Sequence, residues 1–319
     1  MLTTQTARPR SAGFTLVELL VVMVLMGLVT TAMVKLLLRQ TRFYNSTNEL
    51  IQTRQQIRQA AFMLPSDLRA ISRAGGDIYS MTDSSIDFRS MFGSSVACVI
   101  NVGKLWINTV PQKLAKGSAM TNWKVAPSVN DSVAVYDDAA STGVRDDIWT
   151  FHRIALVTQV AGDNANGCSS TSGLAQAADL VAGNPSYQLT VSPAPSKTAN
   201  VGAAIRFFRH VHYSLYRWAT DGKWYLGYYD CLPNRVPSCA TIQPIAGPLQ
   251  PYAASVTGTS GLQFTYYDST GVVTANPALV ARFSVVVRGQ GQTLINLTGG
   301  TAVPLRDSVR IEVSVRNRN

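Results

Sequence analysis

Residues 13 to 38 constrain this chain more than any other stretch. They read Gly-Phe-Thr-Leu-Val-Glu-Leu-Leu-Val-Val-Met-Val-Leu-Met-Gly-Leu-Val-Thr-Thr-Ala-Met-Val-Lys-Leu-Leu-Leu, with no charge between Leu19 and Val34. Phe14 to Leu38 is 25 residues. At roughly 1.5 Å per residue that makes about 37 Å of helix, against a hydrocarbon core of about 30 Å. The first 13 residues contain Arg8 and Arg10 and no acid. Positive charge ahead of an apolar span holds that end in the cytoplasm. A cleaved secretory signal has an apolar core of about 7–15 residues followed by a small-x-small site. Here the run is longer, and no such site follows Val34. A plain membrane anchor accounts for the length and the flanking charge. It does not account for Glu18, because a carboxylate at that depth is costly and calls for a partner and a function.

The order Gly13, Phe14, Thr15, Leu16 and Glu18, leading into an apolar helix, resembles the N-terminus of type IV pilins and type II secretion pseudopilins. The resemblance implies a mechanism. A prepilin peptidase cuts after Gly13 on the cytoplasmic side, and Phe14 becomes an N-methylated N-terminus. Glu18 then pairs with the terminal amine of a neighbouring subunit. A buried carboxylate and a buried ammonium each carry a large desolvation cost, offset when they meet. One departure is that Ser11 and Ala12 precede Gly13 where the family commonly has a basic residue; Arg8 and Arg10 supply the charge instead. The implied partners are other major and minor pilins or pseudopilins, the peptidase, and the inner-membrane platform and assembly ATPase. The implied location is the inner membrane, spanned once, with the rest of the chain in the periplasm and later in a pilus or pseudopilus.

The helical pattern continues past the span. Phe43, Leu50, Ile57 and Leu64 recur every seven residues, with Thr47, Ala61 and Leu68 near the half-steps and Arg39, Arg42, Arg54, Gln55, Gln56 and Arg58 on other faces. One apolar stripe on a polar helix predicts a helix laid against a sheet. Pro65 is expected to end or bend it near Leu64, with Ser66-Asp67 capping a further short turn before Gly75-Gly76. The expected organisation is a leader over 1–13, a membrane half-helix over 14–38, an amphipathic half over 39–72 and a β-rich head over 73–319. The fold class is α+β.

Beyond Arg73 the character changes. Val309, Ile311, Val313 and Val315 alternate with Arg310, Glu312, Ser314 and Arg316; Leu279, Ala281, Phe283, Val285 and Val287 do the same. Further predicted strands cover 96–102, 104–110, 132–136, 148–160, 187–191, 203–209, 211–218, 223–229 and 262–267. Asp221-Gly222 is a hairpin signal. The Ser-, Ala-, Asn- and Gly-rich stretch 162–202 reads as a long loop or insertion. Residues 211–217, 261–267 and 307–318 resemble strands of PilW-type minor pilins and J-type type II secretion pseudopilins.

Formal net charge is +10. The head carries 20 Lys/Arg against 15 acids, so it is only mildly basic for its size. Basic surfaces attract phosphate, but no arginine-rich run or nucleic-acid-reading motif is present, and a solvated surface is the expectation. Cys98, Cys168, Cys231 and Cys239 all lie in the exported part, where disulfides persist. Cys231 and Cys239 flank a turn-forming Leu-Pro-Asn-Arg-Val-Pro-Ser loop and are the easiest pair; Cys98 with Cys168 follows by elimination. Zinc is the alternative, without supporting Cys-x2-Cys or His spacing. His152, His210 and His212 are the three histidines. His210 and His212 share a strand face, where two surface histidines are ordinarily solvated side chains rather than ligands. Asp137-Asp138 and Asp146-Asp147 are read as loop residues and as the candidates for calcium binding, though neither pair follows an EF-hand pattern. No nucleophile elbow, phosphate loop or paired-carboxylate motif appears. The expectation is a structural subunit without metal or cofactor, and not an enzyme. The rival classes are a tip adhesin or DNA-uptake receptor, and a membrane-anchored periplasmic enzyme.

Overall fold

The computed structural model describes residues 13–72, 76–114, 120–138, 148–160, 167–230, 242–254, 258–295 and 301–315. One helix, α1, runs from Leu16 to Leu68, 53 residues. Its membrane half has no packing partner among the described residues: Phe14, Leu16, Leu25 and Leu38 are all exposed. The helix does not stop at Pro65. It continues to Leu68, and Arg69 N–H bonds back to the Pro65 carbonyl. A proline inside a helix costs about 3 kcal/mol. Burial of Ile57, Leu64 and Leu68, nearly or fully complete, contributes roughly 1.5–3 kcal/mol each. The packing therefore outweighs the proline.

The expected apolar stripe holds only in part. Ile57, Leu64 and Leu68 are buried, but Phe43 is 73% exposed and Leu50 is half-buried. Ser46, Glu49 and Thr53 are buried instead. A seven-residue repeat drifts about 20° per heptad on a straight helix. Two heptads back from Ile57, Phe43 has rotated off the packed face.

Among the described residues the head contains thirteen strands, and every pairing whose register is defined is antiparallel. They are β1 Ile78–Met81, β2 Ser85–Asn101, β3 Trp106–Thr109, β4 Asn122–Trp123, β5 Ser132–Asp137, β6 Ile148–Val160, β7 Ser186–Ser192, β8 Ala204–Arg217, β9 Trp224–Asp230, β10 Gln243–Leu249, β11 Leu262–Tyr267, β12 Arg282–Ile295 and β13 Val303–Ser314. The hydrogen-bonded order is β1-β2-β3-β7-β6-β5-β8-β9-β10-β12-β11, with β13 on β12 and β4 on β2. β2 also pairs directly with β8. The path β2-β3-β7-β6-β5-β8 therefore returns to β2 and closes a six-stranded barrel.

The two long strands serve two layers. The second half of β2 and the first half of β8 belong to the barrel. Its interior is filled by Ala97, Ile107, Val133, Val135, Ile154, Leu189, Val191, Ile205 and Phe207, drawn from all six strands. The first half of β2 and the second half of β8 belong to an open sheet that packs on the end of α1. There Ile86, Phe88, Val211, Tyr213, Phe264, Phe283 and Val285 surround Ile57, Leu64 and Leu68. On β8 the inward residues keep one parity, from Ile205 and Phe207 to Val211 and Tyr213. On β2 they change parity, from Ile86 and Phe88 to Ala97. The β2–β8 register slips between Met91 and Gly93. One extra residue swaps the faces of a strand, so this bulge lets one strand feed both cores. Gly93 sits in it; a Cβ there would lie 2.6 Å from Trp123 Cβ, where β4 pairs.

The structure also revises several sequence readings. Segments 203–209 and 211–218 form one strand, β8, because each half is buried by a different core. Within stretch 162–202 the strand expected at 187–191 is present as β7, and it forms a wall of the barrel between β3 and β6. β1, the first half of β2, and β10 fall outside the predicted strands. The chain divides into two compact units, Met1–Thr53 with Gly291–Leu305, and Arg54–Gln290 with Arg306–Asn319.

Candidate functional site

The segment with the most specific chemistry is Gly13 to Glu18. Thr15 precedes the helix and Glu18 lies three residues on, the spacing of a capping box. Both hydrogen bonds of that device are present. Glu18 N–H donates to Thr15 Oγ1 at 3.3 Å, and Thr15 N–H donates to Glu18 Oε2 at 3.1 Å. The Thr15 hydroxyl also donates to Glu18 Oε2 at 3.1 Å. Two backbone donors at the helix start, otherwise orphaned in an apolar phase, are thereby satisfied. The carboxylate also sits at the positive end of the helix dipole, where negative charge is favoured. Glu18 thus has a role inside its own chain, and its second oxygen takes none of these bonds.

Gly13 has a different logic. It is exposed, has no left-handed φ, and a Cβ on it would meet nothing within 4 Å. Nothing among the described residues demands glycine there. The leader residues 1–12 lie outside the described residues.

A family model described as the prokaryotic N-terminal methylation motif matches residues 8–34. The match makes the N-terminal segment type IV pilin-like and leaves the rest of the chain uncovered. The matched segment contains Gly13, Phe14 and Glu18 and ends inside the apolar span, and a single apolar N-terminal helix fits a membrane-anchored, single-pass protein. No curated protein and no solved structure matches the chain significantly. The finer likeness of the head to PilW-type or J-type proteins therefore stays with the strand patterns that carry it.

In the head, Cys98 on β2 is bonded to Cys168, 70 positions later in sequence, with Cα atoms 5.4 Å apart. Val110, Ala175 and Leu180 bury the bond against the barrel wall. Closing a loop of this length contributes about 4 kcal/mol in the chain-entropy account. Cys231 and Cys239 lie outside the described residues, as do Asp146 and Asp147.

His210 and His212 do share a strand face, but not a surface. Each is about 6% exposed. His210 Nε2 bonds the Asp87 carboxylate, and His212 Nδ1 lies 4.0 Å from the other Asp87 oxygen. Tyr79 packs on His210 at 4.7 Å between ring centroids, and Tyr229 stacks on His212 at 4.5 Å. Burial alone would push the Asp87 carboxyl up; hydrogen bonds from the two histidines outweigh it and hold the group below the ordinary carboxylate value. Asp87 stands opposite His212 across the β2–β8 ladder, a pairing no sequence spacing signals. Among the described residues no three ligating side chains converge on a metal position. Asp137 is not a loop residue: it ends β5, is buried, and accepts the Thr198 hydroxyl at 2.9 Å. His152, also buried, is held by the Pro193 carbonyl at 2.9 Å and the Thr150 hydroxyl at 2.9 Å. Burial lowers its basicity, only partly opposed by the Pro193 carbonyl.

Proposed function

We propose that this chain is a minor pilin or pseudopilin, a structural rather than catalytic subunit that helps initiate or cap a type IV pilus or type II secretion-like filament. The observation that carries the reading is the capped Gly13-Phe14-Thr15-x-x-Glu18 start of an apolar helix that the described residues leave uncovered. Such a surface needs lipid first and other helices later. Cleavage after Gly13 frees an ammonium at Phe14, one residue from the Thr15 cap. The unused oxygen of a neighbour's Glu18 is the complementary charge, in a medium where leaving either unpaired is expensive.

The size of the head argues for a low-copy position. Residues 73–319 are 247 residues, with an expected radius of gyration of about 18 Å for a compact body. Helices that meet in a thin filament core lie about 8–10 Å apart. Heads this large become harder to place at every repeated step and easiest to place at an end. The partners proposed are other pilins or pseudopilins, the peptidase and the assembly machinery.

The test is deletion and complementation in cells carrying the filament machinery. Deletion is expected to cut filament number sharply, and overexpression to give no filament of this subunit alone. Glu18→Val is expected to insert in the membrane but fail to complement. Label spread evenly along filaments at major-subunit abundance would overturn the low-copy reading. Full complementation by Glu18→Val would overturn the charge-pairing role.

A further inference from the structure

The helix face that carries buried Ser46 and Glu49 continues toward the membrane as Arg42, Arg39 and Lys35. These five positions are spaced three or four residues apart and so form one stripe. Lys35, Arg39 and Arg42 are exposed, and none makes an ion pair among the described residues. No acid occurs between Glu18 and Glu49. The end of β12 is fastened on this stripe. Gln292 N–H donates to Glu49 Oε2 at 2.8 Å and the Thr293 hydroxyl to Oε1 at 2.8 Å. Gly291 permits the approach; a Cβ on it would lie 3.0 Å from Glu49 Oε2. Below this clamp Arg42, Asn45, Asn48, Glu49, Thr293, Leu294 and Ile295 line an open cavity of about 550 Å³. Leu294 and Val303, at the described end of the β12–β13 hairpin, are 66% and 57% exposed.

The helix rise sets the height of this cavity. From Leu38, the last residue of the apolar span, Arg42 is about 6 Å along the axis and Glu49 about 16 Å, at roughly 1.5 Å per residue. The headgroup layer occupies about 5–8 Å beyond the hydrocarbon on each side. Arg39 and Arg42 therefore stand in the headgroup layer, and Leu294 and Ile295 line the cavity together with Arg42. Any tilt of the helix only lowers these heights. Both oxygens of Glu49 are engaged by Gln292 and Thr293, so the cavity's unpaired charge is that of Arg42.

We propose that this cavity binds the headgroup of an anionic phospholipid in the leaflet on the head side. The phosphate lies against Arg42 and Arg39, and Leu294 rests in the interface. The bilayer would then clamp the hairpin against the helix before assembly, a role separate from the filament contacts proposed above.

The test uses the full-length protein in nanodiscs, with hydrogen exchange read over residues 291–305 and correct insertion checked separately by alkaline extraction. Exchange is expected to be slower in phosphatidylglycerol-rich discs than in phosphatidylcholine discs. The expected factor is at least about fivefold, the contribution of one basic residue at an anionic surface. The Arg39→Gln/Arg42→Gln variant, altered only at exposed positions, should insert normally and lose the difference. Equal exchange in the two discs, or a difference that survives in the variant, would overturn the proposal. Inorganic phosphate reproducing the slowing in phosphatidylcholine discs would overturn the lipid assignment. Failure to insert would count instead against the membrane-spanning reading on which this site depends.

Discussion

The two ends of α1 obey different rules. Between Leu16 and Leu38 every residue is exposed, and what holds the helix is local: the Thr15–Glu18 cap, the backbone ladder, and Thr30 and Thr31 hydroxyls that each donate at 2.7 Å to carbonyls one turn back. Between Ile57 and Leu68 the same helix is a wall of a core and tolerates an internal proline because side-chain burial repays it. Glycines draw the same contrast. Gly27 in the span has nothing within 4 Å of a notional Cβ, whereas at Gly93 in the head one would collide with Trp123. The head is specified by its own interior. The span is specified by what it will meet outside the chain, lipid and then other helices.

The comparison can be broken first at the disulfide. Replacing Cys98 and Cys168 together by Ser is expected to lower head stability by about 4 kcal/mol. Urea unfolding in detergent, followed by tryptophan fluorescence, reports on the head alone, since all five tryptophans lie beyond residue 73. A loss below about 1 kcal/mol would mean the barrel wall does not depend on the link.

Next is the helix itself. Leu64→Ala, at a fully buried position, is expected to cost 2–5 kcal/mol in the same experiment, by the usual range for buried leucines. Leu25→Ala, at an exposed one, should leave head unfolding unchanged. Equal effects would erase the distinction between the two halves. A smaller effect belongs to the cap. Thr15→Ala is expected to destabilise the first turn by about 1 kcal/mol, read as faster amide exchange at residues 16–19 with no change in the head.

The smallest is pH. His152 is less basic in the fold than its ordinary 6.5, so the unfolded chain takes up a proton first and stability falls as pH drops through that value. His152→Gln should flatten this slope in urea midpoints measured across that range. Asp87 is held below its ordinary 3.8. Its contribution is complete above that value and is lost as pH falls below it, which Asp87→Asn should remove.

How much of this was legible in the sequence follows from where the information lies. The span, the motif and the change to β character at about residue 73 are local patterns. The alternation from Val309 lies in β13, which ends at Ser314; the 262–267 alternation is β11, and the one read from Leu279 becomes strand only from Arg282, Leu279 closing a 3-10 turn instead. The barrel was not legible, because closure depends on β2 meeting β8 more than a hundred residues later in sequence. The bulge before Gly93 breaks the alternation that would have marked β2. β10, Gln-Pro-Ile-Ala-Gly-Pro-Leu, carries two prolines and a glycine, which read as turn chemistry, yet it lies between β9 and β12. His210 and His212 read as surface residues because their partner, Asp87, sits on another strand. At the N-terminus the motif was visible, and the Thr15-x-x-Glu18 spacing of the cap stood in the sequence too, overlooked because Glu18 was read only for its part between subunits.

The central claim is that Gly13–Phe14 is a processing junction and the exposed helix behind it an assembly surface. Mass spectrometry of the N-terminus, in cells with an active prepilin peptidase, tests it most directly. The expected result is a mature chain beginning at Phe14 with a methylated amine, and Gly13→Leu retained at full length because a pocket shaped for glycine rejects a branched side chain. An intact Met1 on the wild-type chain in those cells would contradict the account.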